Sequence, residues 1–190
     1  MEKLSKLEDR LYGSSRVSQI KKLQKEYKNY IKLLEQEVNL AKDHAQLLRT
    51  NAYDENGNLT INGYAYRAGF NQVNFDAQGN LENGKAIEAA LVNRVNAAIN
   101  DYNAHRNADD ASYYEERVSL AQKDHEGFLK ALSEYESTLG KIEDGQSQIQ
   151  DYKEKIQDAT DEIVDAIQDG IEDVLEAIDN QRDFNKMYRD

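Results

Sequence analysis

The sequence contains no cysteine, no proline and no tryptophan among its 190 residues. Without cysteine, the chain can form neither a disulfide framework nor a thiolate metal site. Without proline, nothing interrupts helical hydrogen bonding, since a proline in a helix interior costs roughly 3 kcal/mol. Hydrophobic residues make up 39% and charged residues 32% of the chain. This composition predicts long, uninterrupted helices packed in thin hairpins, without a thick globular core.

Positive charge is also scarce, because the formal net charge is −12 at pH 7. Nucleic acid and anionic membrane surfaces carry negative charge, so binding to either is disfavoured. No apolar run approaches the roughly 20 residues that span a bilayer. The first residues, Met1 to Ser5, lack the apolar core of a signal peptide. We therefore expect a soluble chain, not exported by that route, whose partners are proteins.

The C-terminal region, residues 111–190, has apolar residues at the spacing of a coiled-coil helix. A seven-residue apolar repeat keeps one seam of a helix against a partner helix. Two rows of residues form this seam in residues 128–166: Phe128, Tyr135, Ile142, Ile149, Ile156 and Ile163, with Leu132, Leu139, Tyr152, Ala159 and Ala166. Acidic residues occupy the remaining faces. The pattern predicts one long acidic coiled-coil helix.

The repeat slips by one residue near Ile163, and Val164 continues it. The last part of this helix is then predicted to project beyond its partner with one apolar side. This candidate assembly seam consists of Ile163, Ile167, Ile171, Val174 and Ile178. It requires another copy, the Glu2–Tyr12 segment, or the rest of a longer protein to cover it. Because acidic flanks repel, we expect self-association to strengthen with added salt or falling pH.

Three further helices are predicted. Residues 1–15 form a short helix with Leu4, Leu7 and Leu11 on one face, ended by Gly13. Residues 16–50 form a second coiled-coil helix, and residues 85–106 form a third helix. The residue 16–50 helix carries a heptad seam that a further row of apolar side chains widens: Leu23, Tyr30, Leu33, Leu40 and Leu47. This helix is therefore wide enough to touch more than one neighbour.

The insert, residues 51–84, contains an internal echo. Tyr53 to Leu59 and Phe75 to Leu81 both have an aromatic residue followed by Asp-x-x-Gly-Asn-Leu. In such turns the aspartate accepts backbone N–H groups, and Gly57 and Gly79 take the left-handed conformation. Leu59, Ile61 and Tyr64 or Tyr66 are expected in short strands. The insert is thus predicted to be two small β-hairpins or one sheet of short strands.

No motif points to catalysis, a metal or a cofactor. Asp54, Asn56 and Asn58 resemble the start of a calcium loop. The glycine, however, stands at the fourth position instead of the sixth, and Ala65 takes the place of the terminal glutamate. The three histidines lie far apart in sequence, and no phosphate loop or nucleophile elbow occurs. We therefore expect a non-enzymatic chain with no cofactor.

The order of these pieces resembles a recurrent segment of phage tail tape-measure proteins and related large virion structural proteins. The resemblance lies in five stretches: Arg10–Gly13, Tyr30–Val38, Phe75–Leu81, Tyr135–Leu139 and Glu162–Ile167. Such segments combine a helix, a turn-rich insert and a long acidic helix. The resemblance implies assembly and length-keeping in a virion, with the chain located in the virion or the host cytoplasm.

The predicted fold is mainly α: an elongated antiparallel helical hairpin, or coiled coil, with the turn-rich insert and the third helix at its tip. Two functions compete. The first is a structural or assembly protein acting by helix–helix packing and self-association. The alternative is a coiled-coil adaptor or binding module whose insert recognises a protein partner through Tyr53, Tyr64, Tyr66, Phe70 and Phe75.

Overall fold

The computed structural model of the chain describes residues 14–187 and contains four helices in that range. They are α1 (Ser14–Thr50), α2 (Ile61–Arg67), α3 (Gly84–His105) and α4 (Ala111–Met187). Within the same residues the only β structure is two isolated bridges. The predicted mainly α fold with a helical hairpin is confirmed. The predicted Glu2–Tyr12 helix lies outside the described residues.

The chain divides into two compact units. The hairpin unit comprises residues 1–36 and 145–190, and the insert unit comprises residues 37–144. Each unit contains part of α1 and part of α4. The insert unit also contains the segment between α1 and α4, including α2 and α3.

In the hairpin unit, α1 and α4 pack antiparallel. Gln24 Nε2 donates hydrogen bonds to the Ile156 carbonyl (3.2 Å) and to Thr160 Oγ1 (2.9 Å). One turn later on α1, the Tyr27 ring lies 5.5 Å from that of Tyr152, which is earlier on α4. Because the contacts on α4 move backwards as α1 moves forwards, the two helices run in opposite directions.

The insert unit is held by one cluster of buried side chains. Its members come from α1, α2, α3 and α4: Ala45, Leu48, Ile61, Ala65, Ile87, Leu91, Phe128 and Tyr135. Phe128 and Tyr135 of α4 occupy the predicted heptad seam. Four helices thus bury one core, which explains why a sequence of modest hydrophobic content can fill it.

The prediction of strands at Ile61, Tyr64 and Tyr66 is wrong, because these residues form α2. Thr60 is the N-cap of this helix, and its side chain accepts a bond from the Gly63 backbone N–H (3.4 Å). The Thr60 hydroxyl also donates to the Asn51 carbonyl. A capped helix of seven residues therefore overrides the strand propensity of the β-branched and aromatic residues.

The helix ends through a left-handed glycine. Gly69 has a φ of 91°. The backbone N–H of Phe70 bonds to the Ala65 carbonyl (2.9 Å), and that of Gly69 bonds to the Tyr66 carbonyl (3.0 Å). This six-to-one bond around a positive-φ glycine is a Schellman motif, and it turns the chain so that Phe70 packs against the core.

The core generates a stability prediction. Phe128 is 0% exposed, so Phe128→Ala should lower the free energy of unfolding by about 3–5 kcal/mol through lost burial and the cavity left behind. Leu40→Ala is the control, because Leu40 is 70% exposed and should change stability by less than about 1 kcal/mol. Urea unfolding monitored by circular dichroism measures both. Equal losses in the two variants would contradict the core assignment.

Candidate functional sites

The two copies of the internal echo form loops with the same hydrogen bonding. In the first loop, Asp54 Oδ1 accepts the backbone N–H groups of Asn56 (2.9 Å) and Asn58 (2.8 Å). In the second, Asp76 Oδ1 accepts those of Gln78 and Asn80, both at 2.8 Å. Antiparallel bridges close the loops, joining Tyr53 to Leu59 and Phe75 to Leu81. The β structure of the insert is limited to these bridges.

The glycines of both loops adopt the predicted left-handed conformation. Gly57 has a φ of 80° and Gly79 a φ of 86°. In each loop the glycine N–H bonds back to the aspartate carbonyl, at 3.1 Å for Gly57 and 3.0 Å for Gly79. The left-handed residue completes the reversal, which is why a residue with a Cβ is disfavoured there.

These hydrogen bonds lower the pKa of both aspartates. For Asp54 the main cause is the backbone N–H of Asn58, followed by the Asn58 side chain. For Asp76 the main cause is the side-chain amide of Asn80, followed by its backbone N–H. Donors that point at a carboxylate favour its charged form. Each carboxylate accepts three hydrogen bonds from its own loop, so both aspartates act as turn formers.

The second loop is attached to the core, whereas the first lies at the surface. The buried Tyr135 hydroxyl donates to the Gly79 carbonyl, and its ring lies 5.4 Å from that of Phe75. The Arg49 guanidinium stacks over Phe75 at 6.0 Å. Burial raises the pKa of Tyr135, which keeps its hydroxyl protonated as a donor. Sequence reasoning missed this contact, although Tyr135 stood in the predicted seam.

The structure separates the five aromatic residues predicted to bind a partner. Tyr64, Phe70 and Phe75 are half-buried and pack against the core. Only part of each ring is therefore left for a partner. Tyr53 and Tyr66 are 56% and 75% exposed and are the two exposed members of the set.

A groove of about 780 Å³ lies between the first loop, α2 and α4 of the insert unit. Asp54 and Leu59 line it on the loop side, and Lys123, Lys130 and Glu134 line it on α4. At its floor Tyr64 lies against Gly127, where an added Cβ would overlap the tyrosine hydroxyl. Burial raises the pKa of Tyr64. Gly127 therefore provides the space that lets α2 approach α4.

An arginine–aspartate cluster joins three elements of the same unit, and sequence reasoning did not identify it. Asp124 is buried on α4 and accepts from Arg67 Nη1 at 2.6 Å, while Arg94 of α3 lies 3.8 Å away. Arg94 also donates to the Arg67 carbonyl at the end of α2. Two guanidinium groups compensate one buried carboxylate, so the cluster orients α2 and α3 on α4. The signal available in the sequence was an acidic residue on the seam face of the helix, because Asp124 stands three residues after Ala121 and four before Phe128.

The predicted slip of the α4 seam is wrong. Ala159, Ala166 and Gly170 are buried, so the original heptad continues through them. Of the predicted assembly seam, Ile163 and Val174 are half-buried, whereas the other three members are exposed. An exposed apolar stripe, between 36% and 56% exposed, remains beside the buried seam: Val164, Ile167, Ile171, Leu175 and Ile178. The predicted seam residues Ala159 and Ala166 are thus confirmed as buried, and Gly170 continues the seam where the sequence analysis placed a slip.

Comparison of the chain with protein-family models, with curated proteins and with solved structures returned no match. In residues 14–187, none of the helices is both long enough and apolar enough to pass through a membrane. Among the same residues, no three His, Asp or Glu side chains converge in a way that could hold a metal ion.

Two glycines of α4 give opposite predictions for the same substitution. Gly140→Ala should stabilise the chain by up to about 1 kcal/mol, because alanine favours a helix and nothing lies within 4 Å of the new Cβ. Gly127→Ala should destabilise it despite the same gain, because the Cβ would overlap the stiff Tyr64 ring. Thermal unfolding measures both. Stabilisation by Gly127→Ala would show that Tyr64 does not occupy this position.

The loop aspartates give a pH prediction. Since their folded pKa lies below the ordinary value of 3.8, the stabilisation that they contribute is present above that value and lost as pH falls through the folded pKa. A carbon-detected NMR titration should therefore find Asp54 and Asp76 titrating below 3.8. Asn58→Ala should raise the pKa of Asp54 and leave that of Asp76 unchanged. Ordinary titration of both carboxyls in the unaltered chain would contradict the loop geometry.

Proposed function

We propose that this chain is a non-catalytic structural or assembly element of a phage-like virion or tail, acting through helix–helix packing. The observation that carries the proposal is the exposed stripe on α4. It places five large apolar side chains in a row on α4, between the buried seam and an acidic face. A one-sided stripe of this kind is typical of a helix that binds another helix.

Two further features support an assembly role. The folded core is concentrated in the insert unit, so the stripe in the hairpin unit is not needed to fill it. The resemblance to tape-measure and related virion proteins includes Glu162–Ile167, which contains the first stripe residue. The virion assignment depends on that resemblance, whereas the packing mode depends on the stripe.

The alternative is an adaptor whose insert binds a protein partner. The observation that favours it is the exposure of Tyr53 and Tyr66, since tyrosines are common anchors in protein interfaces. The groove beside Asp54 and Tyr64 adds a concave surface in the same unit. Of the original five aromatic residues, however, three are half-buried against the core, so this surface is smaller than the sequence predicted.

Incorporation into particles tests the proposal. Particles from a host carrying the gene are purified on a density gradient and analysed by quantitative mass spectrometry. We expect the chain at a fixed ratio to the major particle proteins. Ile171→Asp should lower that ratio at least several-fold, because it places a charge in the stripe, and Tyr66→Ala should leave it unchanged.

The opposite pattern, with loss only in Tyr66→Ala, would favour the adaptor function. Absence of the unaltered chain from particles would overturn the virion proposal. Circular dichroism of both purified variants is the control for folding, and it should show unchanged helicity because both positions are exposed.

A further inference from the structure

We infer that the exposed stripe of α4 binds the same stripe of a second copy of this chain, with the two α4 helices parallel and in register. The inference rests on the proposed assembly function and names the partner. It uses only the hairpin unit, where α1 and the later part of α4 pack antiparallel.

The stripe is continuous with an interface that already exists. If Ile156 and Ile163 are assigned to heptad position a, then Ala159 and Ala166 occupy position d. The two isoleucines are half-buried and the two alanines are buried, so positions a and d form the seam. Val164, Ile171 and Ile178 then occupy b, Ile167 occupies e, and Leu175 occupies f, beside b on the helix. Because e and b follow a around the helix, the apolar face of α4 extends beyond the width that one neighbouring helix covers. A second helix is needed to cover the rest.

The acidic residues do not oppose this pairing. Asp158, Asp165 and Glu172 occupy position c, and Glu162 and Asp169 occupy g. These positions lie on the side of α4 away from b and e. When two stripes meet, the acidic faces therefore point outwards on opposite sides. This arrangement replaces the earlier expectation that acidic flanks repel across the contact.

A charge pair favours the parallel orientation. Gln24 lies opposite Ile156 and Thr160, so Lys21, one turn earlier on α1, is level with residues near Asp161. None of the described ion pairs includes Lys21 or Asp161. A two-fold axis parallel to the helices places Asp161 of the second copy at this same level, on the side that faces Lys21. The two-fold symmetry repeats the contact, so one dimer contains two Lys21–Asp161 pairs.

An antiparallel arrangement lacks this complementarity. It would bring the start of one stripe against the end of the other and move Asp161 of the second copy away from Lys21. The charges on α1 and α4 thus select one of the two possible directions of pairing.

Single-cysteine crosslinking tests the arrangement, because the chain contains no cysteine of its own. Val164→Cys and Ile178→Cys stand at the two ends of the stripe. In a parallel in-register pair each cysteine lies beside the cysteine at the same position in the second copy. Mild oxidation should therefore give a disulfide-linked dimer of each full-length variant. The control is Leu33→Cys, on an exposed apolar position of α1 outside the stripe. It should stay monomeric on a non-reducing gel.

Two outcomes would overturn the inference. If Val164→Cys and Ile178→Cys crosslink to each other in a mixture but not to themselves, the pairing is antiparallel. If neither crosslinks above the Leu33→Cys control, the stripe does not bind a second copy. In that case particle incorporation can still succeed through another protein, so failure here is distinguishable from failure of the proposed function.

Charge reversal provides a second measurement. Sedimentation equilibrium should show at least several-fold weaker dimerisation for Lys21→Glu and for Asp161→Lys, and recovery in the double variant. Added salt should weaken the unaltered dimer, since it screens the pair. Strengthening by salt, or absence of recovery in the double variant, would overturn the parallel register.

A pair of matched variants tests the stripe itself. Leu33 and Leu175 are the same residue type and are both 56% exposed, and only Leu175→Asp, not Leu33→Asp, should weaken the dimer.

Discussion

The insert unit depends on the burial of the Tyr135 side chain. Its ring fills part of the core, and its hydroxyl donates to the Gly79 carbonyl of the second loop. The ring of Phe75 then packs on it, beneath the Arg49 guanidinium of α1. One residue of α4 thus links a helix seam, a turn and a second helix. Without its hydroxyl, the Gly79 carbonyl would lose a partner in a site that is shielded from water.

The helices could be predicted from sequence because each signal is local and repeated. The heptad over residues 128–166 and the absence of proline predict α4, and the echoed Asp-x-x-Gly-Asn predicts both loops with their left-handed glycines. The errors have two sources. Thr60 is a local helix-capping signal, but it stands in a stretch whose β-branched and aromatic residues favour a strand. Tyr64 uses space that Gly127 leaves, and this tertiary contact has no signature in the sequence near Tyr64.

In the later part of α4, the buried residues are not the largest apolar ones. Ala159, Ala166 and Gly170 occupy the buried seam, whereas larger Val, Ile and Leu residues occupy the exposed stripe. Small seam residues allow close approach of a neighbouring helix. The larger residues beside them then remain outside the contact, although they dominate hydrophobicity along the sequence. The sequence analysis therefore placed Ala159 and Ala166 in the seam but changed register near Ile163, where the larger residues of the stripe begin.

The twin loops separate the role of local sequence from that of tertiary contact. Both aspartates hold their loops through the same three donors, and both glycines have nearly the same φ. Phe75 of the second loop is nevertheless packed on the core, whereas Tyr53 of the first is exposed. Because the loop geometry is shared, it cannot itself distinguish a structural role from a binding role. The difference lies in α4, which presents Tyr135 to the second loop. The first loop has no such contact at Tyr53, so the exposed Tyr53 ring is the part of that loop that a protein partner could bind.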